Sequence, residues 1–222
     1  MNMGHIIQLL AVAAIPLLFA ITIHEVAHGW VACKLGDKTA LMMGRLTLNP
    51  LKHIDPFGTI ILPIVMLIAS SSLLGNAFIF GWAKPVPVNF NALRHPRRDM
   101  ALVAVAGPLT NLLMAIIWAF IAKINIWLPH SASAFVQLSA QFGIMINCVL
   151  MVLNLLPIPP LDGSRVISSI LPPKISIAYD QLEVFGFWIL IFLLLSGLLQ
   201  PLIAPPIFGL VSLLKSLFGL GS

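Results

Sequence analysis

The chain has 222 residues, 59% of them hydrophobic and only 9% charged, with a mean hydropathy of +1.04. Soluble domains carry roughly 25% charged residues, so this composition excludes a soluble globular domain and leaves apolar surface that must face lipid. The net charge of +5 does not point to nucleic acid, because the basic residues sit in short segments between apolar runs, as the positive-inside rule expects of cytoplasmic loops.

In chain order, the apolar run over 6–33 is long enough to cross a hydrocarbon core of roughly 30 Å as a helix. It contains no Lys or Arg, so the basic n-region of a cleavable signal peptide is missing and none is expected. A polar stretch follows over 34–55, in which the alternation of Arg45-Leu-Thr-Leu-Asn49 predicts a short strand. Residues 57–80 are apolar again but hold Ser70-Ser-Ser72 and Gly75-Asn76 near the middle. Basic residues flank this stretch on both sides, so a re-entrant hairpin is predicted rather than a single crossing. The loop Gly81-Trp-Ala-Lys-Pro-Val-Pro-Val-Asn89 is held extended by its prolines, and Arg94, Arg97 and Arg98 close it. An extended segment of this kind, here or at 45–49, can offer an edge to an unwound substrate by strand addition.

A long helix is predicted over 99–128, with Trp127 in an aromatic belt. The next covers 134–156 and is stopped by Pro157, Pro159 and Pro160. A short helix over 164–171 and a spanning helix over 181–199 follow. The apolar tail over 202–218 is interrupted by Pro205 and Pro206 and either crosses the membrane or lies at its interface. Cys33 and Cys148 lie in apolar segments and read as small buried hydrophobes. With no internal repeat or soluble appendage, the expected architecture is one membrane-embedded domain over 1–222. Its catalytic core covers about 6–171 and its C-terminal helices 181–218. The fold class is an all-α polytopic membrane bundle of about four to six membrane helices, with short strand elements and the hairpin.

Chemistry concentrates in His24-Glu25-Val-Ala-His28. Histidines four apart share one helix face and can reach the same metal ion. The Glu beside the first can serve as general base toward an attacking water. Glu25 is also the only Asp, Glu, Lys or Arg in the first 33 residues, and an ionisable residue inside a membrane helix is costly and by default functional. A catalytic zinc takes three protein ligands and keeps one position open. His5, His53, His95 and His130 lie near termini or in loops and read as solvated or interfacial. Asp37, Asp55, Asp99, Asp180 and Glu183 sit at segment ends, where capping or solvation accounts for them. Asp162 stands apart, in the apolar Asn154-Leu-Leu-Pro-Ile-Pro-Pro-Leu-Asp162-Gly163. The prolines force extended backbone at membrane depth, which survives there only inside protein or along a wet cavity. Asp162 is then either the third ligand or the cap of the short helix that follows.

The motif at His24–His28, followed far downstream by Asn154-x-x-Pro157-x-Pro159-x-Leu161-Asp162-Gly163, resembles the pattern of the site-2 proteases, peptidase family M50. Gly44-Arg-Leu-Thr-Leu-Asn-Pro50, the 81–89 loop and Gly107-Pro-Leu-Thr-Asn111 are similar to blocks of the compact prokaryotic members, without a PDZ or CBS segment. The resemblance implies one zinc ion held by His24, His28 and Asp162, with Glu25 as base. It also implies a position for Asn154 near the scissile carbonyl, as an oxyanion donor or in an interhelical hydrogen bond like those open to Asn111 and Asn147. The implied activity is hydrolysis of a peptide bond in a membrane-spanning helix of another protein. The partners are then transmembrane substrates and the bilayer, in a prokaryotic cell membrane with the site toward the cytoplasm. The competing readings are a zinc-binding transporter, which predicts metal flux, and a non-catalytic scaffold, which predicts binding without cleavage.

Overall fold

The computed structural model describes residues 3–61, 81, 83–127 and 129–221. Eight α-helices follow in order: α1 Met3–Lys34, the single turn α2 Thr39–Met42, α3 Pro96–Ile124, α4 His130–Asn154, α5 Asp162–Ile170, α6 Pro173–Asp180, α7 Glu183–Leu195 and α8 Leu199–Phe218. Among the described residues, four helices are long and apolar enough to cross a membrane, Leu10–Lys34 of α1, α3, Ala132–Asn154 of α4, and α8, and the bent pair α6–α7 makes a fifth span if taken as one. The protein is therefore an all-α multi-pass membrane protein.

Helices α1, α3 and α4 pack against one another, and α8 lies along α3 and α4. The core between them mixes bulk with small residues: Ala115, Ala119 and Ala140 are wholly buried beside Trp118, Ile144 and Cys148, and Ile207 and Val211 close it from α8. Small residues at these contacts let helix backbones approach where lipid provides no hydrophobic drive for association. The large apolar side chains turned outward, such as Leu109, Leu113, Phe120, Trp188 and Phe192, suit lipid.

The C-terminal third departs from expectation. The helix predicted over 181–199 ends at Leu195, ahead of Gly197 with its φ of +73°. Its 13 residues rise only about 20 Å, short for a crossing, and α6 meets α7 at a 60° bend. The long helix is instead the tail, continuous through Pro205 and Pro206. The bent pair braces the proline turn after α4. Tyr179 Oη donates to the carbonyl of Pro157 at 2.8 Å, and a Cβ on Gly186 would lie 2.6 Å from the carbonyl carbon of Pro159. Ser168 of α5 bonds Ser176 at 2.7 Å and Asp180 at 2.9 Å, and Arg165 pairs with Glu183 at 2.5 Å.

No strand occurs among the described residues, so the strand expected at 45–49 is not there. Local bonds engage part of this backbone: the Arg45 N–H donates to the Ala40 carbonyl at 2.9 Å, and Thr47 Oγ accepts the Asn49 N–H at 3.2 Å. In the 81–89 loop, the backbone donors of 84–87 are already engaged. Pro85 and Pro87 have no N–H, while those of Lys84 and Val86 are spent on His53 and Glu25. Between 84 and 87 no free donor is left for a substrate strand. The hairpin predicted over 57–80 falls mostly outside the described residues; Pro56–Ile61 forms a π-helical turn.

The loops below α1 and above α3 are stitched together. Arg94 N–H donates to the Leu35 carbonyl at 3.0 Å and Asn89 N–H to Asp37 Oδ2 at 2.7 Å. Asp37 is buried, and its other oxygen accepts from the N–H and hydroxyl of Thr39 at 2.9 and 2.5 Å. Burial alone would push this carboxyl up, but the bonds from Thr39 and Asn89 hold it below the usual carboxylate range.

Candidate metal centre

His24 and His28 lie one turn apart near the C-terminal end of α1, both more than nine-tenths buried. Gly107 of α3 brings the neighbouring helix flush against them: a Cβ there would stand 2.6 Å from Cε1 of each imidazole. After α4 the proline turn folds the chain back, and Gly163 rests on the backbone of Leu155 and Leu156, where a Cβ would meet the Leu155 carbonyl carbon at 2.5 Å. This return carries Asp162 to the histidines. Its Oδ2 stands 3.2 Å from His24 Nε2 and 3.3 Å from His28 Nε2, and the two nitrogens are 3.0 Å apart.

Hydrogen bonding at the far side of each ring fixes what those atoms are. His28 Nδ1 donates to the carbonyl of Val103 at 2.7 Å. His24 Nδ1 faces Asn111 Oδ1 at 2.6 Å, with the Asn111 amide nitrogen committed to the Ala20 carbonyl at 3.2 Å. In the neutral rings each Nδ1 therefore carries the proton, and each Nε2 presents a lone pair. Two lone pairs and the buried Asp162 Oδ2, which has no hydrogen-bond partner, then point into one space with no proton between them. Such a set is repulsive alone and favourable around a cation. Ligand atoms on a tetrahedral zinc are roughly 3.3 Å apart, and the three separations lie at or just under that value. These residues fit one metal ion.

The alternative for Asp162 as a cap does not match the geometry, since no side chain caps the first turn of α5. Glu25 is half-buried beside the pair, and its Oε2 accepts the backbone N–H of Val86 at 2.7 Å. The 81–89 loop that delivers this amide is clamped by Arg45, whose Nη2 donates to the carbonyls of Lys84 at 3.0 Å and Pro85 at 3.3 Å. Asn154 is not drawn into the cluster; its Nδ2 donates to the Leu150 carbonyl one turn earlier at 3.0 Å. His53, expected to be solvated or interfacial, is buried and bonded through Nε2 to the Thr47 carbonyl at 2.9 Å. His95 is exposed, and Asp99 accepts its backbone N–H at 2.9 Å where α3 begins, a segment-end role. Asn111 was read from sequence as a bond between helices; its contact with His24 was not. The signal available was Gly107-x-x-x-Asn111, a glycine opening space one turn before a polar residue on the same helix face.

Comparison with known proteins agrees with this geometry. The model of the family described as peptidase family M50 matches residues 12–127 and 121–196. YwhC of Bacillus subtilis, named provisionally as a zinc metalloprotease, is 40% identical over 196 residues, covering 86% of this chain and 84% of its own. Two proteins named Rip2, also provisionally zinc metalloproteases, are similar. That of Mycobacterium tuberculosis strain H37Rv is 31% identical over 209 residues (91% of this chain, 72% of its own), and that of Mycolicibacterium smegmatis 30% identical over 183 residues (82% and 66%). No solved structure matches. The matched stretches contain both histidines, Glu25 and the returning Asp162, and on that extent of likeness the chain belongs to peptidase family M50.

Proposed function

We propose that this protein is an intramembrane zinc metalloendopeptidase that hydrolyses a peptide bond within or near a transmembrane helix of another membrane protein. The observation that carries the reading is the convergence of His24 Nε2, His28 Nε2 and Asp162 Oδ2 at 3.0–3.3 Å, with both histidines and Glu25 on a helix long and apolar enough to cross the membrane. His24, His28 and Asp162 would hold one zinc ion. When bound, zinc supplies Lewis acidity that lowers the pKa of a water molecule and polarises a carbonyl.

The chain's own residues do the rest. Glu25 accepts the proton of the attacking water on a carboxylate oxygen and returns it to the departing amine. Val86 N–H holds Oε2 in place, which leaves Oε1 as the mobile acceptor. Asn111 and the Val103 carbonyl keep the imidazoles aimed. Asn154 has one N–H on Leu150 and a second to offer a developing oxyanion. The substrate helix has to unwind locally, because its carbonyls are otherwise bonded along the helix.

The whole chain acts as one membrane-embedded domain in a prokaryotic cell membrane. Its metal centre lies toward the side that carries Lys34, Lys38, Arg45, Lys52, Arg94, Arg97 and Arg98, the cytoplasmic side by the positive-inside rule. The test is incubation of purified protein with candidate membrane helices beside Glu25→Gln. The variant should keep its zinc and lose about 10²–10⁴-fold in rate. Cleavage by Glu25→Gln at the wild-type rate overturns the mechanism.

A further inference from the structure

One of the two imidazoles, that of His24, is held by a side chain of a second helix, which is itself held by a side chain of a third. Asn111 of α3 and Asn147 of α4 have no solvent exposure, so water cannot complete or reverse their hydrogen bonds. We propose that Asn147 and Asn111 are positioning residues forming a polarity relay, from the Gly143 carbonyl to His24, which sets the protein's affinity for its metal ion. The proposal rests on the metal reading above.

The relay follows from which atoms can only accept. The Gly143 carbonyl has no proton to give, so Asn147 must turn Nδ2 toward it, at 2.8 Å. This leaves Asn147 Oδ1 facing Asn111, which must answer with Nδ2, at 3.1 Å. The Ala20 carbonyl, 3.2 Å from the same nitrogen, requires the same orientation. Asn111 then has only Oδ1 left for His24, and an acceptor there draws the imidazole proton to Nδ1 and frees the lone pair of Nε2. A reversal at either amide would set donor against donor, or acceptor against acceptor, inside the bundle.

The sequence makes room for both links in the same way. Gly107 precedes Asn111 by one turn and Gly143 precedes Asn147 by one turn. A Cβ on Gly143 would lie 2.5 Å from Trp118 Cδ2, so only glycine lets α3 and α4 approach closely enough for two short amides to meet. His28 has no such dependence, because its Nδ1 donates to a backbone carbonyl, Val103, which cannot rotate. His24 is therefore the ligand whose aim depends on residues remote from the metal.

Zinc dissociation constants of the purified protein, measured by chelator competition, test this. Asn147→Leu should weaken zinc binding about tenfold and Asn111→Leu up to about 100-fold. The double variant should bind no more weakly than Asn111→Leu alone, since Asn147 acts only through Asn111. Asn147→Asp, whose carboxyl has to carry a proton toward the Gly143 carbonyl while its other oxygen faces Asn111, should bind zinc more tightly than Asn147→Leu, and more tightly than Asn111→Leu where Asn147→Leu does not fold. Additive losses, or Asn147→Asp binding as weakly as Asn147→Leu, overturn the relay and reduce Asn147 to packing. Tight zinc in the wild type with unchanged affinity in every variant overturns the relay alone. A wild type that binds no zinc overturns the metal reading and the relay with it.

Discussion

The backbone N–H of Lys84 donates to the carbonyl oxygen of His53 at 2.9 Å, so the chain that departs after His53 is back beside it by Lys84. A polypeptide that crossed a hydrocarbon core of roughly 30 Å once in that interval could not make this bond. The flanking bonds agree: Arg45 reaches the carbonyls of Lys84 and Pro85, and Asn89 reaches Asp37.

Single cysteines at the exposed positions Lys52 and Arg94, in a background lacking Cys33 and Cys148, should therefore react with an impermeant thiol reagent from one side only. Labelling from opposite faces of sealed vesicles would contradict both the His53–Lys84 bond and the shared depth of the metal ligands.

Arg45 governs Glu25 at one remove, through the loop that presents Val86 N–H. Arg45→Ala should lower kcat by up to about 100-fold, the scale of a misplaced catalytic group, while zinc content stays at one per chain. Arg45→Lys, which can still donate to a carbonyl, should recover part of the loss. Unchanged kcat in Arg45→Ala would mean that the clamp does not set the base.

Asp162→Ala removes one of three converging atoms. Its loss of zinc affinity should exceed the roughly 10–100-fold typical of residues that only orient a ligand, and elemental analysis after dialysis should find little metal. Full retention of zinc would return Asp162 to a structural part.

The pH dependence of stability should carry the signature of Asp37. Its carboxyl is held below the ordinary value by Thr39 and Asn89 despite burial. The stabilisation is therefore complete above the unfolded pKa of about 3.9 and is lost as pH falls through the lower folded value. Thermal unfolding in detergent should show a wild-type decline beginning near pH 4 that Asp37→Ala lacks. At neutral pH the variant should be less stable by about 1–3 kcal/mol. Parallel curves for the two proteins at every pH would remove Asp37 from the account.

Long apolar runs made α1, α3 and α4 legible within a few residues, because a membrane helix needs only length and lack of charge. The histidines stood out because two of them four apart on one helix have few bland uses inside a membrane, whereas Asp162 was open between ligand and helix cap until the resemblance to the site-2 proteases implied the ligand. What stayed hidden depends on partners distant in sequence. Arg45-Leu-Thr-Leu-Asn49 alternates like a strand, yet Asn49 and Thr47 satisfy neighbouring backbone groups and the facing segment is blocked by proline. The 181–199 run is apolar enough to span, but Gly197 takes a left-handed turn and α7 is used to brace the proline turn. Asn111 and Asn147 disclose their part only when three helices are assembled.

The wide separation of His28 from Asp162 along the chain also orders events in time. During synthesis the two histidines and Glu25 enter the membrane with the first helix, but the third ligand follows only after α3 and α4 have been made. A nascent chain, or one truncated before the proline turn, carries a base and two imidazoles with no complete metal site. On the proposed reading, peptide-bond cleavage therefore has to wait until the chain has been made as far as α5.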